Sequence, residues 1–222
     1  MEIPVMSNIL DKNDQIAAEL NSVLTSRGIF VVNLLGSPGC GKTSLLEQTV
    51  SLLNNELKLA IIEGDLYTSK DADRLAAYGT PVVQINTQGG CHLDAAMVKA
   101  ALSQLDLDPI DILIVENVGN LVCPAEFNVG EHAKVVVLST TEGEDKPLKY
   151  PLVFRQSEAV ILNKIDLLPY TSFAMDDAIR DIKGLNPQAE LLQTSCRTGE
   201  GLTTWIEWLK MRASQTREMR KL

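Results

Sequence analysis

Gly36-Ser37-Pro38-Gly39-Cys40-Gly41-Lys42-Thr43 gathers three glycines, a lysine and a hydroxyl into eight residues in the pattern G-x-x-x-x-G-K-[ST]. That spacing suits a polyphosphate. The glycines free backbone N–H groups to wrap phosphate oxygens at a helix N-terminus, Lys42 offers a cation to the outer phosphates, and Thr43 offers a hydroxyl to Mg²⁺. Cys40 contributes only a free amide where a small residue is needed, and Ser44 extends the same phosphate-binding set. Further along, Asn163-Lys164-Ile165-Asp166 follows the apolar run Ala159-Val160-Ile161-Leu162. A carboxylate at Asp166 can accept two hydrogen bonds from guanine N–H groups, and adenine would leave it unpaired. N-K-x-D alone is a weak signal; after a phosphate loop, in strand order, it predicts a guanine-nucleotide site.

Two acidic residues end apolar runs and are expected to face the phosphates: Asp65, after Leu59-Ala60-Ile61-Ile62-Glu63-Gly64, and Glu116, after Ile112-Leu113-Ile114-Val115. Carboxylates beside a phosphate loop position Mg²⁺ or its waters, or orient the attacking water. Together with Lys42 they form the expected catalytic set, and with Thr43 the expected Mg²⁺ set. Asp65 can equally be a cap for the following turn. Ser195-Cys196-Arg197 resembles the Ser-Ala-Lys loop that contacts guanine in G proteins, and reads equally well as a turn before the last helix.

These motifs need a scaffold that brings strand ends to one edge. Residues 11–27 place Ile16, Leu20, Val23 and Leu24 at helical spacing before Gly28, so an N-terminal helix precedes the first strand. Short, nearly continuous apolar runs at 29–35, 57–62, 82–85, 112–115, 134–138 and 159–162 read as strands covered on both faces. Helical stretches are expected at 42–53, 94–105, 175–184 and 202–212, the last with Leu202, Trp205, Ile206 and Leu209 on one core face. This alternation predicts an α/β fold, a P-loop NTPase with a mostly parallel sheet and helices on both sides.

The 222 residues suit one domain, here 1–222. A formal charge of −9 argues against nucleic-acid partners. The basic Arg217, Arg220 and Lys221 read as a solvated helix end. No apolar run reaches the ~20 residues of a membrane span. Residues 1–10 lack the pattern of a secretory leader, so the expected address is cytoplasmic.

The four cysteines, Cys40, Cys91, Cys123 and Cys196, form no CxxC pair, which leaves free thiols or metal ligands. Cys91 and His92 precede a helix, and Cys123 follows the strand bearing Glu116, so both segments leave one sheet edge. Thiolate and imidazole suit Zn²⁺, Ni²⁺ or Cu; the alternative is buried thiols beside a surface imidazole. The other histidine, His132, reads as structural.

Three longer stretches carry a more specific resemblance: Gly89-Gly90-Cys91-His92-Leu93-Asp94-Ala95, Glu116-Asn117-Val118-Gly119-Asn120-Leu121-Val122-Cys123-Pro124, and Thr141-Glu142-Gly143-Glu144-Asp145-Lys146-Pro147-Leu148-Lys149-Tyr150-Pro151. With the two nucleotide motifs they span nearly the whole chain, which resembles the HypB family, GTPases of the SIMIBI branch that assist nickel insertion into [NiFe]-hydrogenase. The resemblance implies a Mg²⁺-dependent GTPase that binds Zn²⁺ or Ni²⁺ through Cys91, His92 and Cys123. It also implies a GTP-dependent homodimer, cooperation with a small HypA-like nickel protein and delivery to the hydrogenase large subunit. Some relatives carry an N-terminal CxxCGC motif or histidine-rich tract; this sequence has neither, and its two histidines exclude nickel storage. Metal handling then falls to the GTPase domain. Since a closed Zn²⁺ site takes four ligands and one chain offers three, two chains meeting at this edge are expected to complete it.

A related urease-maturation GTPase, UreG, shares this architecture but fits the two cysteine-bearing stretches less well. A small-molecule kinase is disfavoured by the guanine motif and by the lack of an acceptor-binding motif. A metal-buffering module that merely binds nucleotide would keep its role without Lys42.

Overall fold

The structure, a computed structural model, describes residues 9–53, 56–65 and 70–220. Residues 1–8, on which the reading of the leader largely rests, and Lys221 lie outside the described residues. Helix α1 (Ile9–Arg27) leads into β1 (Phe30–Gly36), followed by α2 (Lys42–Leu53), β2 (Leu59–Asp65), α3 (Lys70–Ala76), β3 (Val82–Asn86), α4 (Ala95–Leu102) and β4 (Ile112–Glu116). The second half runs α5 (Cys123–Glu126), β5 (Ala133–Ser139), α6 (Lys146–Lys149), α7 (Pro151–Arg155), β6 (Ala159–Asn163), α8 (Met175–Leu185), β7 (Glu190–Thr194) and α9 (Leu202–Met219).

All seven strands join one parallel sheet in the order β3-β2-β4-β1-β5-β6-β7. The central strands β1, β4, β5 and β6 are buried along their whole length, which is why they read as nearly continuous apolar runs. Residues alternate between faces. Val32, Leu34, Ile61, Ile114 and Val137 pack under α2 and α9, while Val31, Ile62, Leu113 and Val115 pack under α1 and α4. After β1 the chain winds to one side for β2 to β4, then crosses to the other for β5 to β7. Such a switch point opens a crevice at the strands' carboxyl ends, where ligands bind in open α/β sheets.

Several boundaries differ from expectation. β2 runs through Glu63 and Gly64 to Asp65, because pairing with β3 and β4 carries it past the last apolar residue. α4 stops at Leu102 rather than at 105, with the Asp94 side chain capping its start by accepting from Met97 N. α9 continues to Met219 rather than ending at 212, since Ala213 and Thr216 prolong its buried face. Its basic end is tied down rather than merely solvated: Arg217 pairs with Asp111, and Arg220 donates to the Arg27 carbonyl. β7 escaped the sequence reading because it is a short edge strand whose five residues include only two apolar ones, Leu191 and Leu192. Helix α3 and the one-turn helices α5 to α7 were too short for a periodicity.

Candidate nucleotide site and metal cluster

The loop between β1 and α2 is held from three sides. Asn163 Nδ2 donates to Cys40 O at 3.0 Å and Lys164 Nζ to Gly39 O at 2.6 Å, so the 163–166 segment braces the phosphate loop directly. Gly41, at φ +104°, has no space for a side chain: a Cβ would sit 2.4 Å from Asn163 Nδ2. From the far side Gly119 packs on Pro38, where a Cβ would come within 3.0 Å. Lys42 and Thr43 are buried, and Lys42 Nζ donates to the Gly36 carbonyl at 3.3 Å.

A cavity of about 400 Å³ opens over this loop, lined by Lys42, Thr43, Ser44, Glu63, Glu116 and Gly119 among others. Thr43 Oγ1 donates to Glu116 Oε1 at 2.9 Å, and Glu116 Oε2 is buried without a hydrogen-bond partner. Burial pushes the Glu116 carboxyl up to about 7, against the opposing pull of Lys42 and Thr43. A hydroxyl beside a carboxylate oxygen that has no partner is a donor set suited to a hard divalent cation such as Mg²⁺. Asp65 ends β2 on the same face as Glu63, two residues further along, and is not among the residues lining this cavity.

An adjoining cavity of about 390 Å³ is lined by Gly41, Ser44, Asn163, Lys164, Asp166, Cys196 and Arg197. Lys164 takes a left-handed backbone at φ 63°, and its carbonyl accepts from Thr140 Oγ1 at 2.7 Å. Thr194 Oγ1 donates to Asn163 Oδ1 at 3.2 Å and Ser195 Oγ to Asp166 Oδ1 at 2.6 Å. The Ser195-Cys196-Arg197 segment is a turn before α9, and Ser195 ties it to the 163–166 segment. The two cavities share Gly41, Ser44 and Lys164, so they adjoin as one trough running from the phosphate loop to Asp166.

Cys91, His92 and Cys123 also come together, with their ligand atoms all within 4.8 Å of one another. Bond lengths in Zn–S and Zn–N sites imply ligand separations of about 3.5–3.8 Å, within reach by small rotations. Cys91 is exposed, and its Sγ lies 3.6 Å from His92 Nδ1. The His92 ring stacks on Phe127 at 3.9 Å between centroids. Cys91 is held protonated above the usual thiol range chiefly by its hydrogen bond with Cys123, while burial lowers His92 below the usual imidazole range.

Cluster and trough are covalently and mechanically close. The segment leaving β4 lines the phosphate cavity with Glu116, Asn117, Val118 and Gly119 and reaches Cys123 four residues later. Asn120 forms an antiparallel bridge with Gly36 of the phosphate loop; its Nδ2 donates to the Cys91 carbonyl at 3.3 Å and its Oδ1 accepts from Val122 N. Asn117, fully buried, accepts from Leu93 N and donates to Asn33. One loop thus touches the phosphate loop on one side and both cysteine-bearing segments on the other.

Residues 30–193 match the family described as CobW/HypB/UreG, nucleotide-binding domain. The hydrogenase maturation factor HypB of Azotobacter vinelandii is 50% identical over 206 residues, covering 93% of this chain and 68% of the relative. That of Escherichia coli K12 is 48% identical over 94% of this chain and 72% of the relative. The chain belongs to the HypB family. The structure of Helicobacter pylori HypB in complex with nickel superposes with a TM-score of 0.88 at 38% identity, covering 93% of this chain and 97% of that one. The cell-division protein FtsY of Thermotoga maritima, at 15% identity and a TM-score of 0.52, shares the fold alone.

HypB membership accounts for the cysteine-bearing stretches, but the site also holds residues that sequence reasoning missed. Glu63, Asp71 and Arg74 line the phosphate cavity. Arg74 is gripped by Glu47 at 2.7 and 3.0 Å and by Asp71 at 3.0 Å. The signal for Glu63 was a lone carboxylate inside an apolar run, two residues before the Asp that drew attention. His132 is structural: Nδ1 accepts from Val31 N at 3.0 Å, and Nε2 meets Thr25 Oγ1 at 2.8 Å. Among the described residues no helix is long and apolar enough to cross a membrane.

Proposed function

We propose that this chain binds and hydrolyses GTP in the cytoplasm and uses its nucleotide state to control a metal cargo, nickel, for hydrogenase maturation. Asp166 reads guanine, with Asn163 and Lys164 bracing the phosphate loop and Ser195, Cys196 and Arg197 closing the base pocket. Lys42 and the amides of Gly39, Cys40, Gly41, Thr43 and Ser44 hold the phosphates, with Gly36 at the loop's origin. Thr43, Asp65 and Glu116 are the residues to hold Mg²⁺, directly or through water; when bound, that ion neutralises charge on the β- and γ-phosphates. Positioning and charge stabilisation dominate phosphoryl transfer, so turnover without a further activating group is slow.

Cys91, His92 and Cys123 bind Ni²⁺ or Zn²⁺, and a GTP-dependent homodimer supplies the remaining ligands by bringing two such sets together. A small HypA-like nickel protein and the hydrogenase large subunit are the partners this role requires. The reading is supported above all by the 116–123 loop, because a shift at the γ-phosphate must move the segment that carries Cys123 and steadies Cys91. Phosphate release by the Lys42→Ala variant tests the enzymatic half: turnover is expected to fall by about 10²-fold or more with the fold retained. Unchanged GTP hydrolysis in that variant would refute it.

A further inference from the structure

Among the described residues, only three buried side-chain polar atoms have no hydrogen-bond partner: Glu63 Oε2, Glu116 Oε2 and Glu142 Oε2. Two of the three share the wall of the phosphate cavity. Glu63 on β2 lies in direct register with Glu116 on β4, so neighbouring strands send both carboxyl groups to the same face, toward α2. Glu63 is only 3% exposed and Glu116 only 4%. A carboxylate this deep is costly unless a cation or a set of donors meets it, and two side by side double the difficulty.

Among the described residues no cation is in contact with either carboxyl group. Lys42 donates to the Gly36 carbonyl, Arg74 is bound to Glu47 and Asp71, and no ion pair among the described residues includes Glu63 or Glu116. A leucine or methionine would pack the same strand position without these costs. An acid there makes sense if something positive enters the cavity.

We propose that Glu63 is a second carboxylate for the divalent cation that accompanies the nucleotide, positioning it from the strand beside Glu116. The inference rests on the nucleotide-and-cation reading above and adds to it a residue that neither the phosphate-loop motif nor the Asp65–Glu116 expectation includes. Glu63 acts on the reaction only through the cation. Its signature is therefore a dependence on divalent ions, not a general loss of nucleotide.

The test is titration of fluorescent GDP into the wild type, Glu63→Gln and Glu63→Asp, each in excess Mg²⁺, in Mn²⁺ and in EDTA, with thermal unfolding followed in the same buffers. In the wild type, Mg²⁺ is expected to tighten GDP at least tenfold over EDTA. Glu63→Gln is expected to lose most of that gain, to bind GDP in EDTA as tightly as the wild type or tighter, and to unfold in EDTA no earlier. Glu63→Asp, which keeps the charge, is expected to recover part of the gain. If Glu63→Gln keeps the full Mg²⁺ and Mn²⁺ enhancement, or if it weakens GDP equally with and without cation, the inference is overturned while the nucleotide reading stands. A wild type that binds GDP indifferently to Mg²⁺ would overturn the inference together with the cation part of the reading it rests on.

Discussion

The nucleotide trough and the metal cluster are built to different standards. In the trough nearly every functional group is buried or bonded before any ligand arrives: Asn163 and Lys164 hold loop carbonyls, Ser195 holds Asp166, and Thr43 holds Glu116. The cluster sits at the rim on two connecting segments, with Cys91 exposed and three candidate ligands where a closed site takes four. Preorganisation lowers the cost of binding and sharpens discrimination, whereas an incomplete site on movable segments can be opened and closed. The contrast fits the proposed division, in which the trough selects the ligand and the rim responds to it.

If the trough is the rigid half, its specificity must depend on single atoms. Asp166→Asn removes charge-assisted acceptance toward guanine, and GTP is expected to bind about 10²-fold more weakly. Xanthosine triphosphate, which exchanges a donor for an acceptor, should bind better than it does to the wild type. Competition binding across GTP, ATP and xanthosine triphosphate measures both. Equal affinity of the wild type for ATP and GTP would show that the pocket at Asp166 does not read guanine.

If the rim is the separate, responsive half, damage there should spare the trough. Cys91→Ala and Cys123→Ala are each expected to weaken Ni²⁺ or Zn²⁺ by more than about tenfold, since even groups outside the ligand set change metal affinity by that order. GDP affinity in Mg²⁺ should stay within about twofold. Isothermal titration with metal and with GDP on the same preparations sharpens the division, and unchanged metal affinity in both variants would abolish it.

The comparison leaves His132 in neither region. Burial holds its imidazole down at about 4, from the usual 6.5, with Arg212 adding to the effect. The folded state therefore binds fewer protons than the unfolded one between those values, so stability falls as pH drops from about 6.5 to 4, and this residue costs nothing further below that. Relative to His132→Gln, the wild type is expected to lose roughly 2 kcal/mol across that window, the full shift being discounted for partial exposure. Urea unfolding at pH 7 and pH 4.5 measures it; parallel pH profiles for the two proteins would exclude His132 as the cause.

Legibility in the sequence followed the same divide. The phosphate loop and the N-K-x-D segment are local, so their spacing alone placed them on strand ends, and the sheet confirmed the parallel α/β arrangement. Glu63 was hidden because strand pairing, not hydrophobicity, carries β2 onward to Asp65. Arg74 was hidden because α3 is only seven residues long and its grip on Glu47 is tertiary. Cys91 and Cys123 were visible as residue types, but their meeting depends on β4 lying between β2 and β1, an order no motif states. The Asn120 contacts were invisible for the same reason.

The central claim is that nucleotide state is transmitted from the trough to the rim. Native mass spectrometry of the full chain with Ni²⁺, in a non-hydrolysable GTP analogue and in GDP, tests it most directly. The expected result is a dimer with metal shared between two cysteine–histidine sets in the GTP analogue, and a shift toward monomer with metal released in GDP. Identical mass and identical metal stoichiometry in the two nucleotide states would contradict it.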